Sequence, residues 1–181
     1  MPHLKGFTTV EFSHSNLINY QGPFFDTLLG NKELVFLYLS HVDNWSDQIA
    51  TQFVTGLSTN KTLKYLDMHD FRLLQHGKQD ALAEALQKNE GLETVKIEIS
   101  RTNKAALTKI GEALKANKTL KTVAFTWSDE AKTFDLTGLL EQVRARPIPL
   151  RIKLSSHKDM IVGQGKAEND PDSSGWNTYL K

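Results

Sequence analysis

The same short alternation of polar and apolar residues recurs four times along the chain. In Asn60-Lys61-Thr62-Leu63-Lys64-Tyr65-Leu66-Asp67-Met68 the apolar positions Leu63, Leu66 and Met68 read L-x-x-L-x-L, and the phrase returns, with substitutions, from Asn31, Asn89 and Asn117. The starts are 29, 29 and 28 residues apart. Alternation at the end of each phrase predicts a short strand with one buried face. Between the phrases, Ile49, Phe53 and Leu57, then Leu82 and Leu86, then Leu107, Ile110 and Leu114 keep helical spacing. A fixed period of this length predicts stacked strand–loop–helix units, each burying its apolar face against its neighbours.

The ends of the chain extend the pattern in weakened form. Thr8-Thr9-Val10-Glu11-Phe12 alternates like a strand, and Pro23 to Leu29 aligns with the helices through Phe24 and Leu28, which predicts an atypical N-terminal capping unit. Helices are expected to open at Asn44 or Ser46, near Gly77, at Thr102, and at Asp135 ahead of Leu139 and Val143. One period past Val123 and Phe125 lie Ile152 and Leu154, a last strand that Pro147 and Pro149 assign to a sheet edge. The stacked domain is therefore expected over residues 1–154, followed by a polar tail, 155–181. Met160-Ile161-Val162, Trp176 and Tyr179 are the tail's apolar exceptions, able either to close over the open end of the sheet or to await a partner.

The phrase N-x-x-L-x-x-L-x-L, followed by a helix ending A-L-x-x-N as in Ala85 to Asn89 and Ala113 to Asn117, resembles the ribonuclease-inhibitor class of leucine-rich repeat over about Val10 to Leu154. The resemblance implies an α/β fold: a right-handed solenoid, a segment of a horseshoe, with a parallel sheet on its concave face and helices on its convex face. Where that class often carries Asn or Cys after the strand, this chain has Val42, Phe71, Ser100 and Ser128, so the side-chain ladder on that rim is expected to be missing or altered. The chain is also similar to small cysteine-free leucine-rich-repeat effectors that intracellular bacteria deliver into host cells. Members of such families bind other proteins through the concave face and its rims, and the namesake inhibits an enzyme by covering its active site.

Alternation assigns Phe36, Tyr38, Ser40, Tyr65, Asp67, His69, Thr94, Lys96, Glu98, Thr122, Ala124, Thr126, Arg151 and Lys153 to the face without helices. His41, Asp43, Trp45, Asp70, Arg72, Arg101, Trp127 and Asp129 follow on one rim. Phe36, Tyr38 and Tyr65, with Trp45 and Trp127 beside them, predict an aromatic patch of the composition found at binding hot spots, with Asp67, His69, Lys96 and Glu98 setting specificity. The bland alternatives are that the rings merely cover one another or lie under the N-terminal segment, and that Trp45 anchors its own loop.

Composition narrows the task. The formal charge of +1 removes the electrostatic footprint of a nucleic-acid binder, and the lack of cysteine removes disulfides and thiolate metal sites. With no run of membrane-spanning length and no signal-like segment, the expected setting is cytoplasmic, including the cytosol of a host cell. His41, Asp43, Asp67, His69 and Asp70 could in principle hold zinc for a metal-dependent hydrolase, but the two imidazoles are offset along the strands. No H-E-x-x-H, phosphate-binding glycine loop or G-x-S-x-G occurs. The expectation is a non-catalytic module without cofactor or metal, monomeric when free, that binds one folded protein and inhibits it if it is an enzyme; an adaptor that recruits without inhibiting is the alternative.

Overall fold

The computed structural model describes residues 6–14, 23–42, 46–69, 78–99, 104–127, 136–156 and 177–178; for His69, Ser155, Ser156 and 177–178 it describes the backbone alone. Asp43, Asn44, Trp45, Asp70, Phe71, Arg72, Gly77, Ser100, Arg101, Thr102, Ser128, Asp129, Asp135, Met160, Ile161, Val162, Trp176 and Tyr179 lie outside the described residues.

Strands and helices alternate: β1 (Thr9–Ser13), α1 (Phe24–Leu29), β2 (Phe36–Ser40), α2 (Asp47–Thr59), β3 (Tyr65–His69), α3 (Gln79–Lys88), β4 (Thr94–Glu98), α4 (Lys104–Ala116), β5 (Thr122–Trp127), α5 (Thr137–Arg144), β6 (Arg151–Ser156) and β7 (Asn177–Thr178). Strand order in the sheet follows sequence order, with β1 to β6 parallel and β7 antiparallel to β6. Register advances by one unit per strand, so Thr9, Phe36, Tyr65, Thr94, Thr122 and Arg151 form one row across the sheet. Two residues on, Glu11, Tyr38, Asp67, Lys96, Ala124 and Lys153 form the next.

Helices pack on their sequence neighbours, α1 on α2 through to α4 on α5. Their apolar stripes meet the inward side chains of the strands, so Leu37, Leu66, Val95, Val123 and Ile152 share one core with Phe53, Leu86, Ile110 and Leu139. Each fully buried Leu or Phe contributes about 2 kcal/mol of apolar burial. Ser46 caps α2, its Oγ accepting from the Ile49 N–H at 3.2 Å. The cap position of α5 falls on Leu136, which supplies no side-chain hydrogen bond, rather than on Asp135.

The asparagines that open each phrase join the units together. The backbone N–H groups of Asn60, Asn89 and Asn117 donate to Gly56, Ala85 and Ala113, each at 2.9 Å, closing the last turn of the preceding helix. Their Oδ1 atoms accept from N–H groups two and three residues on, as Asn89 does from Gly91 at 2.9 Å and Leu92 at 2.7 Å. Their Nδ2 groups reach back a unit: Asn60 to the Leu29 carbonyl at 2.6 Å, Asn89 to Leu57 at 2.7 Å and Asn60 at 2.9 Å, Asn117 to Leu86 at 2.7 Å and Asn89 at 2.9 Å. Each of these side chains is buried, and a buried amide is tolerated only when its donors and acceptors are satisfied. Arg146 takes the next place, with Nε and Nη2 donating to the Asn117 carbonyl at 3.1 and 2.6 Å and Nη1 to Leu120 at 2.8 Å. A side-chain ladder is thus present, ahead of the strands.

Candidate functional site

The face of the sheet away from the helices is divided. On β2 and β3, Phe36, Tyr38 and Tyr65 stand at outward positions, and Phe36 is 40% exposed. Their rings form one cluster: Tyr38 and Tyr65 centroids lie 5.2 Å apart, and Phe36 and Tyr65 centroids 6.2 Å apart. Tyr38 and Tyr65 are half-buried, as rings on adjacent strands shield each other's edges while leaving their outer surfaces open. Glu11 of β1 is exposed and pairs in register with Tyr38. It is a further outward residue, legible from the same alternation because Val10 and Phe12 turn inward.

Asp67 forms the seam with the other half. Its Oδ2 accepts from the Lys96 Nζ at 3.0 Å, and the two side chains are only 13% and 9% exposed. Beyond the seam the middle of the face is closed at Lys96, Ala124 and Thr126, all buried and Thr126 at 0%, while Thr94, Thr122 and Lys153 are half-buried and Arg151 is exposed. Alternation expected the three buried residues to be accessible. The reason for the difference is side-chain size and pairing. Lys96 folds onto Asp67, and the short Ala124 and Thr126 sit low between β4 and β6, Thr126 flanked in register by Glu98 and Ser155. Glu98 is half-buried, like Tyr38 and Tyr65.

Trp127 is also placed differently from the rim position expected for it. β5 runs one residue longer than β2, β3 or β4, so Trp127 belongs to the strand, pairs with Ser156, and shares the inward register of Val123 and Phe125. It packs partly buried against the core and takes no part in the ring cluster of Phe36, Tyr38 and Tyr65. Trp45 lies outside the described residues, and of His69 only the backbone, opposite Ser40, is described.

Electrostatics keep the tyrosines neutral. Burial first, then the negative charges of Asp67 and Glu11, raise the Tyr38 hydroxyl above its ordinary pKa of 10.0. Tyr65 is raised further, again by burial first and then by Asp67 and Tyr38.

One residue past β1 and β2, His14 and His41 both adopt φ of 50°, and their imidazoles stack 4.6 Å apart at 23°. Among the described residues no three His, Asp or Glu side chains gather as metal ligands would, and no helix is long and apolar enough to cross a membrane. No protein-family model matches the chain, and no curated protein matches it in sequence.

Proposed function

We propose that the chain is a leucine-rich-repeat solenoid of the ribonuclease-inhibitor class and that it works as a non-catalytic protein-binding module, inhibiting an enzyme by covering its active site. Support for the solenoid comes from the 29-residue period, the unit-by-unit register and the relay of asparagine amides along one rim. Strands about 4.8 Å apart beside helices needing about 10 Å bend such a stack, with the sheet on the inner side of the curve.

The observation that carries the binding reading is the Phe36, Tyr38 and Tyr65 cluster, partly exposed on the face that, among the described residues, no helix covers. Rigid aromatic anchors with few rotamers are the side chains that dominate protein interfaces. The open region from β1 to β3 is only about 10 Å across the strands, less than a standard footprint of roughly 800 Å² per partner demands. The contact therefore runs over the β1 edge, where Phe7 is 51% exposed.

Affinity capture with the wild-type protein beside the Tyr38→Ala/Tyr65→Ala variant tests the reading. A partner held by the first and lost by the second supports it, provided the variant keeps its fold; equal capture by both sinks it. Adding the protein at saturation to the captured partner's activity assay then separates inhibition from recruitment, since undiminished turnover leaves only an adaptor.

A further inference from the structure

The outward positions of the two halves differ in charge as well as in access. β1 to β3 present Glu11 and Asp67 with no lysine or arginine, whereas β4 to β6 present Lys96, Arg151 and Lys153 against Glu98 alone. Asp67 already faces the Lys96 ammonium. Glu11 is exposed and joins no ion pair among the described residues, and its register partner is Tyr38, one strand spacing away. Glu11 and Tyr38 therefore rise side by side from strands about 5 Å apart, and the Tyr38 ring touches a second one.

We propose that this corner receives an arginine side chain of the partner protein, its guanidinium laid on Tyr38 and Tyr65 and hydrogen-bonded to the Glu11 carboxylate. The inference rests on reading the face as a docking surface and adds the chemistry of the anchor. A guanidinium is planar and weakly hydrated; it stacks on a ring while its edge donates to a carboxylate, which an ammonium does less well. Arg151 and Lys153 of β6 disfavour the same group at the other end of the face.

The test uses the full chain with ring-labelled tyrosine, followed by NMR while N-acetyl-arginine amide is titrated in; N-acetyl-citrulline amide, equal in shape but uncharged, serves as the control. The Tyr38 and Tyr65 ring signals are expected to move with arginine and about 5-fold less with citrulline. Glu11→Gln is expected to reduce the arginine response by a similar factor, while Glu90→Gln, at an exposed position away from the face, leaves it unchanged. Equal responses to both compounds, indifference to Glu11→Gln, or no response to arginine overturns the proposal. If the tyrosine variants lose the protein partner yet arginine moves neither ring, the cation fails and the docking face stands. An arginine response together with undiminished capture by the Tyr38→Ala/Tyr65→Ala variant overturns the docking reading, and with it the assignment of the arginine to a partner protein.

Discussion

On one face of one sheet, Phe36 is exposed and Tyr38 and Tyr65 are half-buried at β2 and β3, while a lysine, an alanine and a threonine are buried at β4 and β5. All occupy outward positions in the same register. The usual association of polar with exposed is inverted, and the inversion has a local cause. Rings on neighbouring strands hide one another only in part, whereas short side chains sink between their neighbours and a long one can fold onto an adjacent charge. Alternation settles which way a side chain faces; its size and partners settle how much water it meets.

Breaking the seam between the halves has the largest expected effect. Lys96→Met removes the ammonium facing Asp67 in a setting where both side chains are nearly buried, and is expected to cost about 3 kcal/mol in urea denaturation. Asp67→Asn/Lys96→Met together should recover most of that; a double variant as unstable as the single would mean that the ion pair is not what joins the halves. Next come the open rings: Tyr38→Ala or Tyr65→Ala is expected to weaken partner binding by about 2 kcal/mol, measured by calorimetry, whereas the same truncation at Thr122 should leave affinity nearly unchanged. Thr126→Val sharpens the contrast from the closed side. Among the described residues the buried Thr126 Oγ1 has no hydrogen-bond partner, so exchanging hydroxyl for methyl should stabilise the fold by about 1 kcal/mol.

The smallest effect is one of pH. Because folding raises Tyr38 and Tyr65 above 10.0, the stability carried by their neutral forms is complete below that pH and declines as pH rises beyond it. Tyr65→Phe should flatten this alkaline decline, read as the urea midpoint against pH; an unchanged slope would place the titrating group elsewhere.

The units, their register and the side each strand residue faces were legible in the sequence because period and alternation are local. Phe36, Tyr38 and Tyr65 follow directly from it. Trp127 was not legible, since a strand longer by a single residue turns a rim position into a core-facing one, and strand ends carry little signal. The burial of Lys96 depended on a partner 29 residues away. The recurring asparagines were plain as markers of each unit, yet their bonds run to carbonyls 28 to 32 residues earlier, and only the packed chain shows those oxygens in reach.

Among the described residues Arg146 ends that series, and its chemistry differs from that of the asparagines before it. An asparagine amide both gives and takes, whereas a guanidinium only gives. Three residues after each asparagine stands a leucine whose N–H needs an acceptor, as Leu63, Leu92 and Leu120 do; three after Arg146 stands Pro149, which has no N–H to satisfy. Lock and key are withdrawn together. Restoring Asn at 146 would leave an oxygen with one suitor missing, and restoring Leu at 149 would leave a hydrogen with nowhere to go, so the array can be lengthened past this point only by changing both.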